Sequence, residues 1–234
     1  MMAPKVRRVT LFAGHYGSGK TNIAVNYARY LQRRGLAVAI ADLDIVNPYF
    51  RTKDSMDELA EAGIPLISSV YANTNVDLPA LPQALYGLVR QHDRHVVFDI
   101  GGDDRGAYAL GRYAPDILAE NNYEMIFVLN LYRPLTTTAE SALEVMREIE
   151  RAGGIPFTAI VNNSNIGWDT TPALVLSSAA EAERLSSLSG LPILMTTAEQ
   201  GVAAQITEMP VFPLVLQKKY FDMKKEKGNA QGNL

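Results

Sequence analysis

The sequence predicts an α/β fold: a three-layer, doubly wound, mainly parallel sheet with helices on both faces. Short apolar runs alternate with helical segments almost from end to end. Those runs are continuously apolar rather than alternating, as strands covered on both faces require. The first run also leads through a glycine-rich stretch into an amphipathic helix, the strand–loop–helix order of a phosphate-binding loop.

The predicted strands, in order, are VTLFA (9–13), AVAIADL (37–43), PLISSV (65–70), HVVFDI (95–100), EMIFVLN (124–130), FTAIVN (157–162) and PILMTTA (192–198). Helices lie between them. NIAVNYARYLQRRG puts Ile23, Ala24, Tyr27, Ala28 and Leu31 on one face and stops at Gly35, a residue suited to the left-handed turn that ends a helix. TTTAESALEVMREIERAGG opens on threonines able to cap it and closes on Gly153 and Gly154. From Pro213 to Lys227, Leu214, Leu216, Tyr220, Phe221 and Met223 mix with five lysines without keeping one clean apolar face; the expectation is a final helix docked on the domain rather than a membrane-bound one. From about 218 the polar tail is expected to fray.

With 234 residues, 47% of them hydrophobic, residues 1–234 are expected to form one nucleotide-binding domain. The balance of 22 basic and 25 acidic residues gives a formal charge of −3 and no electrostatic footprint for nucleic acid. No signal-peptide pattern opens the sequence, and no stretch reaches the roughly 18 apolar residues of a membrane span, so the expected location is the cytoplasm. Without cysteine the chain can form no disulfide and offer no thiolate to zinc or an iron–sulfur cluster.

Gly14-His15-Tyr16-Gly17-Ser18-Gly19-Lys20-Thr21 matches G-x-x-x-x-G-K-[ST] and is followed by Asn22. The chemistry needs these types: glycines let successive N–H groups converge on phosphate oxygens, Lys20 brings charge to the β and γ phosphates, and the Thr21 hydroxyl can ligate Mg²⁺. Two later strands end in carboxylates, where an open parallel sheet presents its ligand crevice. HVVFDIGG carries Asp99 and, as D-x-x-G, places Gly102 where its N–H could sense a γ-phosphate. Asp42 and Asp44 flank Leu43, so an extended chain points both the same way; one can sit near Mg²⁺ while the other orients an attacking water. The alternative for such a D-x-D is a turn or helix cap.

The blocks GHYGSGKT, DLDIVNPYFRT, DIGGDD, VLNLYRP and IVNNSNIG, in this order, resemble the MinD/ParA/Mrp branch of P-loop NTPases (the SIMIBI class), which also includes the CobQ/CobB-type ligases, over roughly residues 8 to 200. More closely still, they resemble bacterial proteins known as ATP-binding. The resemblance implies Lys20 and Thr21 for phosphate and Mg²⁺, Asp44 for the water, Asp42 and Asp99 near the metal, and Asn162 or Asn163 for the adenine. It also implies a homodimer in the ATP state. Members of that branch read K-G-G-x-x-K-[ST], and their first lysine reaches the partner's phosphates; here that position is His15, which supplies no fixed charge at pH 7. Arg51 and Arg105, directly after the acidic motifs, are the candidate substitutes; the alternative for both is a solvated surface arginine. Guanine specificity in this class uses N/T-K-x-D, whereas Val161-Asn162-Asn163-Ser164-Asn165 has neither Lys nor Asp, and an Asn amide suits the adenine edge.

The expected function is a Mg²⁺-dependent ATPase that cycles between ATP and ADP to switch a protein partner or act as a maturation factor, with Tyr49, Phe50 and Arg51 reporting the state. The alternative is an ATP-dependent small-molecule ligase or kinase of the CobQ/CobB/dethiobiotin-synthetase type. Iron–sulfur carriage is disfavoured by the absence of cysteine. His92 and His95 have a metal-like spacing but sit in a polar turn, and Trp168 either covers the base side of the crevice or caps a core.

Overall fold

The computed structural model describes residues 6–44, 58–68, 83–102 and 104–216. Among the described residues, eight strands form one sheet in the order β3-β2-β4-β1-β5-β6-β7-β8. They are β1 (Val9–Ala13), β2 (Val38–Leu43), β3 (Leu66–Ser68), β4 (His95–Ile100), β5 (Tyr123–Leu129), β6 (Ala159–Asn162), β7 (Ile193–Glu199) and β8 (Val211–Leu214). Every pairing is parallel.

The helices are α1 (Lys20–Arg33), the helical residues 58–61 (α2), α3 (Gln83–Arg90), α4 (Asp104–Gly111), α5 (Ala114–Glu120), α6 (Ala139–Gly153), α7 (Pro172–Ser177), α8 (Ala179–Ser189) and α9 (Gln200–Ala203). Alternation along each strand divides the core into two layers. One face of the sheet, with Leu11, Phe98, Phe127 and Ile160, packs against α3 to α6 and α8 through Leu85, Leu110, Ile117, Val145 and Leu185. The other, with Phe12, Ile40, Val97, Ile126 and Val161, packs against Ile23, Tyr27 and Leu31 of α1 and against Leu59 and Ile64. Both layers are buried and apolar, which is why the central strands read as nearly continuous apolar runs.

Helix ends follow the expected chemistry. Thr138 caps α6, accepting from the Ser141 N–H at 3.2 Å while the Ser141 hydroxyl accepts from the Thr138 N–H. Gly154 ends the same helix at φ 68.

Two polar ties fix the edges of the fold. Ahead of β1, Arg8 is 7% exposed and pairs through two guanidinium nitrogens with Glu120 at the end of α5. Its terminal nitrogens also donate to the carbonyls of Leu88 (3.2 Å), Val89 (2.7 Å) and Arg94 (3.4 Å). At the far edge, the Asn26 amide of α1 donates to the Val215 carbonyl and accepts the Val215 N–H, both at 2.9 Å.

The seven expected strands all form, most with ends shifted by one or two residues. The eighth is a correction: Val211–Leu214 pairs with β7, so Pro213 and Leu214 belong to a strand and not to a final helix. Val215 and Leu216 follow that strand without forming a helix, and the rest of the expected helix, with the tail from about 218, lies outside the described residues.

Candidate nucleotide site

The site forms at the carboxyl ends of β1, β2 and β4, in the middle of the sheet. Ile40 and Val97 face α1, so two residues further on Asp42 and Asp99 point to the same side, and the two carboxylates are direct register partners on neighbouring strands. Asp44 follows immediately after β2, its N–H donating to Asp42 Oδ1 at 2.8 Å. The strands thus carry the acidic groups to the start of α1, where Lys20 and Thr21 lie.

The loop from Gly14 to Gly19 turns the chain out of β1 and into α1. Gly19 caps the helix at φ 91, and the first turn of α1 holds no acidic residue, so its amide dipoles are not offset from within the helix. Lys20 is 5% exposed and its Nζ donates to the His15 carbonyl at 3.1 Å, across the loop. His15 Nδ1 lies 3.1 Å from the Tyr16 carbonyl, and Tyr16 itself is 61% exposed. Gly102 comes in from the loop after β4; a Cβ there would fall 2.6 Å from the Tyr16 nitrogen and 3.0 Å from Lys20 Nζ, so only glycine allows this approach. Asn22 lies in the first turn of α1, its carbonyl accepting from Asn26 at 2.8 Å.

Asp99 is fully buried. Its Oδ2 accepts from the Thr21 hydroxyl at 2.6 Å, while Oδ1 has no hydrogen-bond partner among the described residues. Burial pushes its pKa up to about 7; Lys20 and the Thr21 bond pull it down, and Asp44 adds a further upward push. Among the described residues this is a buried carboxylate beside a lysine and a hydroxyl with one oxygen unpartnered, a partly satisfied polar group.

Asn162 and Asn163 end β6 alongside. Asn163 braces the loop: its Nδ2 donates to the Ser18 carbonyl at 2.7 Å and its Oδ1 accepts from Thr197 Oγ1 at 2.7 Å. A Cβ on Gly19 would collide with that Nδ2. Asn162 donates to the Ser178 hydroxyl at 2.7 Å and accepts from the N–H and hydroxyl of Ser164. Both side chains are buried, so a base contact by either amide requires exchanging one of these bonds.

Arg133 is a site residue that spacing did not indicate. It follows β5, and its Nε donates to the Gly17 carbonyl at 2.8 Å although the two residues stand 116 positions apart. Of the cations proposed instead, Arg51 lies outside the described residues, as do Tyr49 and Phe50, and the Arg105 side chain is also outside them. His92 lies 3.4 Å from Glu120, and His95 Nδ1 is 3.0 Å from the Arg7 carbonyl. Trp168 caps no core; it is 75% exposed on the loop after β6.

A model of the CobQ/CobB/MinD/ParA nucleotide binding domain matches residues 9–166, the span that holds the loop, both acidic strand ends and Arg133. The chain belongs to this family. It therefore carries a nucleotide-binding domain of the P-loop type, in the SIMIBI class. No curated protein sequence matches the chain. Among solved structures, the cell division protein FtsY of Thermotoga maritima superposes with a TM-score of 0.57 at 17% identity, covering 81% of this chain and 61% of that one. FtsY of Mycoplasma mycoides gives 0.52 at 15%, with 82% and 60% covered. The signal recognition particle 54 kDa protein of Aeropyrum pernix K1, in complex with GDP, gives 0.52 at 18%, with 82% and 42% covered. The chain spans about three fifths of the FtsY chains and about two fifths of the particle protein. At these identities the likeness is one of fold. No helix among the described residues is long and apolar enough to cross a membrane.

Proposed function

We propose that the protein is a Mg²⁺-dependent ATPase whose ATP and ADP states switch a protein partner. The observation that carries this reading is the convergence of Lys20, the Thr21–Asp99 bond and the Asp42–Asp44 pair at the start of α1. Thr21, with Asp42, Asp44 and Asp99 around it, would hold Mg²⁺; the unused Oδ1 of Asp99 fits that role. Among the described residues no three His, Cys, Asp or Glu side chains lie close enough together to hold a metal, so the ion would need phosphate oxygens and water besides the Thr21 hydroxyl and the nearest of these carboxylates. Bound Mg²⁺ supplies positive charge to the β and γ phosphate oxygens.

Lys20 offers its charge to the same oxygens, and the N–H groups of the loop and of Gly102 surround them. Asp44, at the mouth, orients a water. Hydrolysis forms a bond from that water oxygen to the γ-phosphorus and breaks the one to the bridging oxygen, whose electron pair stays on ADP; one proton leaves to solvent. Adenine is favoured because Val161 to Asn165 offers no carboxylate to accept the two guanine N–H donors. The loops after β1, β5 and β6 expose Tyr16, Leu135, Ile166 and Trp168, apolar surface that supports a protein partner or a second copy.

The test is ATP turnover with Mg²⁺, together with the oligomeric mass of Asp44→Ala in ADP and in ATP. Slow basal turnover, with a larger mass only in ATP, is expected for the switch. Turnover that rises only with a metabolite, at unchanged mass, replaces it with the small-molecule ligase or kinase.

A further inference from the structure

We propose that Arg133 supplies from within the same chain the second fixed positive charge of the phosphate site, so that the triphosphate is neutralised without a partner copy. The inference rests on the nucleotide reading above and adds a residue to it.

The mounting of Arg133 is rigid. Asn130, fully buried at the end of β5, accepts on its carbonyl from the Arg133 N–H at 3.2 Å and from Thr136 Oγ1 at 2.6 Å. Its side chain ties the neighbouring loop: Oδ1 accepts from the N–H groups of Tyr132 (3.0 Å) and Asn165 (3.2 Å), and Nδ2 donates to the Asn165 carbonyl at 3.1 Å. The backbone at Arg133 is therefore held by the same polar lattice that positions the loop after β6.

From that mount the side chain lies against the middle of the phosphate loop. A Cβ on Gly17, which sits at φ 76, would fall 3.1 Å from Arg133 Nε and 3.3 Å from Cζ, so the missing side chain of Gly17 is what lets the guanidinium settle there. The bond from Nε to the Gly17 carbonyl aligns the group and leaves both terminal nitrogens without a hydrogen-bond partner among the described residues. No carboxylate pairs with it in any described ion pair. An arginine never gives up its charge under ordinary conditions, and its fork of donors matches phosphate oxygens. The loop is thus touched by two cations, Lys20 at the His15 carbonyl and Arg133 at the Gly17 carbonyl. His15, where relatives carry a lysine, need not be charged.

A cation held against this loop helps most where charge accumulates on the bridging oxygen as the β–γ bond breaks, so ATP and turnover should feel its loss more than ADP. The experiment compares Arg133→Ala, Arg133→Gln and Arg133→Lys with the wild type in two readouts: the affinity ratio of a slowly hydrolysed ATP analogue to ADP, and kcat at protein concentrations where the chain is monomeric. The expected result is a loss of about 100-fold in kcat for Ala and Gln, a ratio that falls about 10-fold in both, partial recovery in Lys, and recovery of the Ala variant by added guanidinium. Gln keeps a donor for the Gly17 carbonyl without the charge, so wild-type behaviour in Gln overturns the inference and leaves Arg133 as a brace. An Ala variant within threefold of wild type in both readouts overturns it too. If the wild type binds both nucleotides but hydrolyses neither, the ATPase reading fails while the affinity ratio still decides the role of Arg133.

Discussion

At the amino end of β1, Arg8 is buried against Glu120 and three carbonyl oxygens, and all its nitrogens are engaged. At the carboxyl end of the sheet, Asp99 is buried more deeply still, yet one of its oxygens has no partner among the described residues and its pKa is pushed up to about 7. Both are single charges removed from water, but among the described residues the first is saturated and the second is not. A saturated buried ion holds elements together; an unsaturated one stores a demand that a ligand can meet. The same molecule therefore shows what a structural charge and a reserved charge look like under one fold.

Removing the saturated partner sharpens this contrast most. Arg8→Ala strands the Glu120 carboxylate, 10% exposed, beside α3 and should cost about 3–5 kcal/mol in denaturant unfolding. Nucleotide affinity at temperatures where the variant stays folded should not change; an affinity loss as large as the stability loss would break the division between the two ends.

Asp99→Asn should act in the opposite sense. The folded pKa of Asp99 lies above its ordinary value of 3.8, so the folded protein holds an extra proton between about 4 and 7 and loses stability as pH rises through that window. The asparagine variant escapes this loss: at pH 8 the nucleotide-free protein should gain up to about 4 kcal/mol, the gain shrinking as pH falls below 7, while ATP turnover disappears. Thermal melts from pH 5 to 8 measure it, and a variant less stable than wild type at pH 8 would show that Asp99 is satisfied after all.

The smallest effect is expected at the loop's brace. Asn163→Ala removes the bonds to Ser18 and Thr197 and should cost about 1–2 kcal/mol in stability, with about a 10-fold weaker hold on ADP. Calorimetric titration of ADP checks it.

How legible these features were in the sequence depends on how local they are. Strands β1, β2, β4 and β5 are covered on both faces, so their residues form nearly continuous apolar runs that need no partner to be recognised. β8 escaped because it is four residues long, contains Pro213 and lies at the sheet's edge, the one place where a strand tolerates proline. The glycine loop and the D-x-D pair are contiguous and stand out by spacing. Arg133 and Asn163 reach the loop from 116 and 145 positions away, and nothing in their own neighbourhoods distinguishes a guanidinium or amide aimed at Gly17 or Ser18 from one in water. Asn163 was recognised for its amide chemistry, but the acceptor it uses here, a loop carbonyl, becomes visible only once the strands are set in order.

Asn26 gives the chain a mechanical property. Its amide clasps Val215 as a neighbouring strand would, roughly 7.5 Å along α1 from Thr21. The helix that begins at the candidate phosphate loop is therefore geared to the point where the chain leaves β8. Any slide or roll of α1 is handed to Val215, and a reporter fused behind that residue rides on the nucleotide end of the molecule as well as on the edge of the sheet.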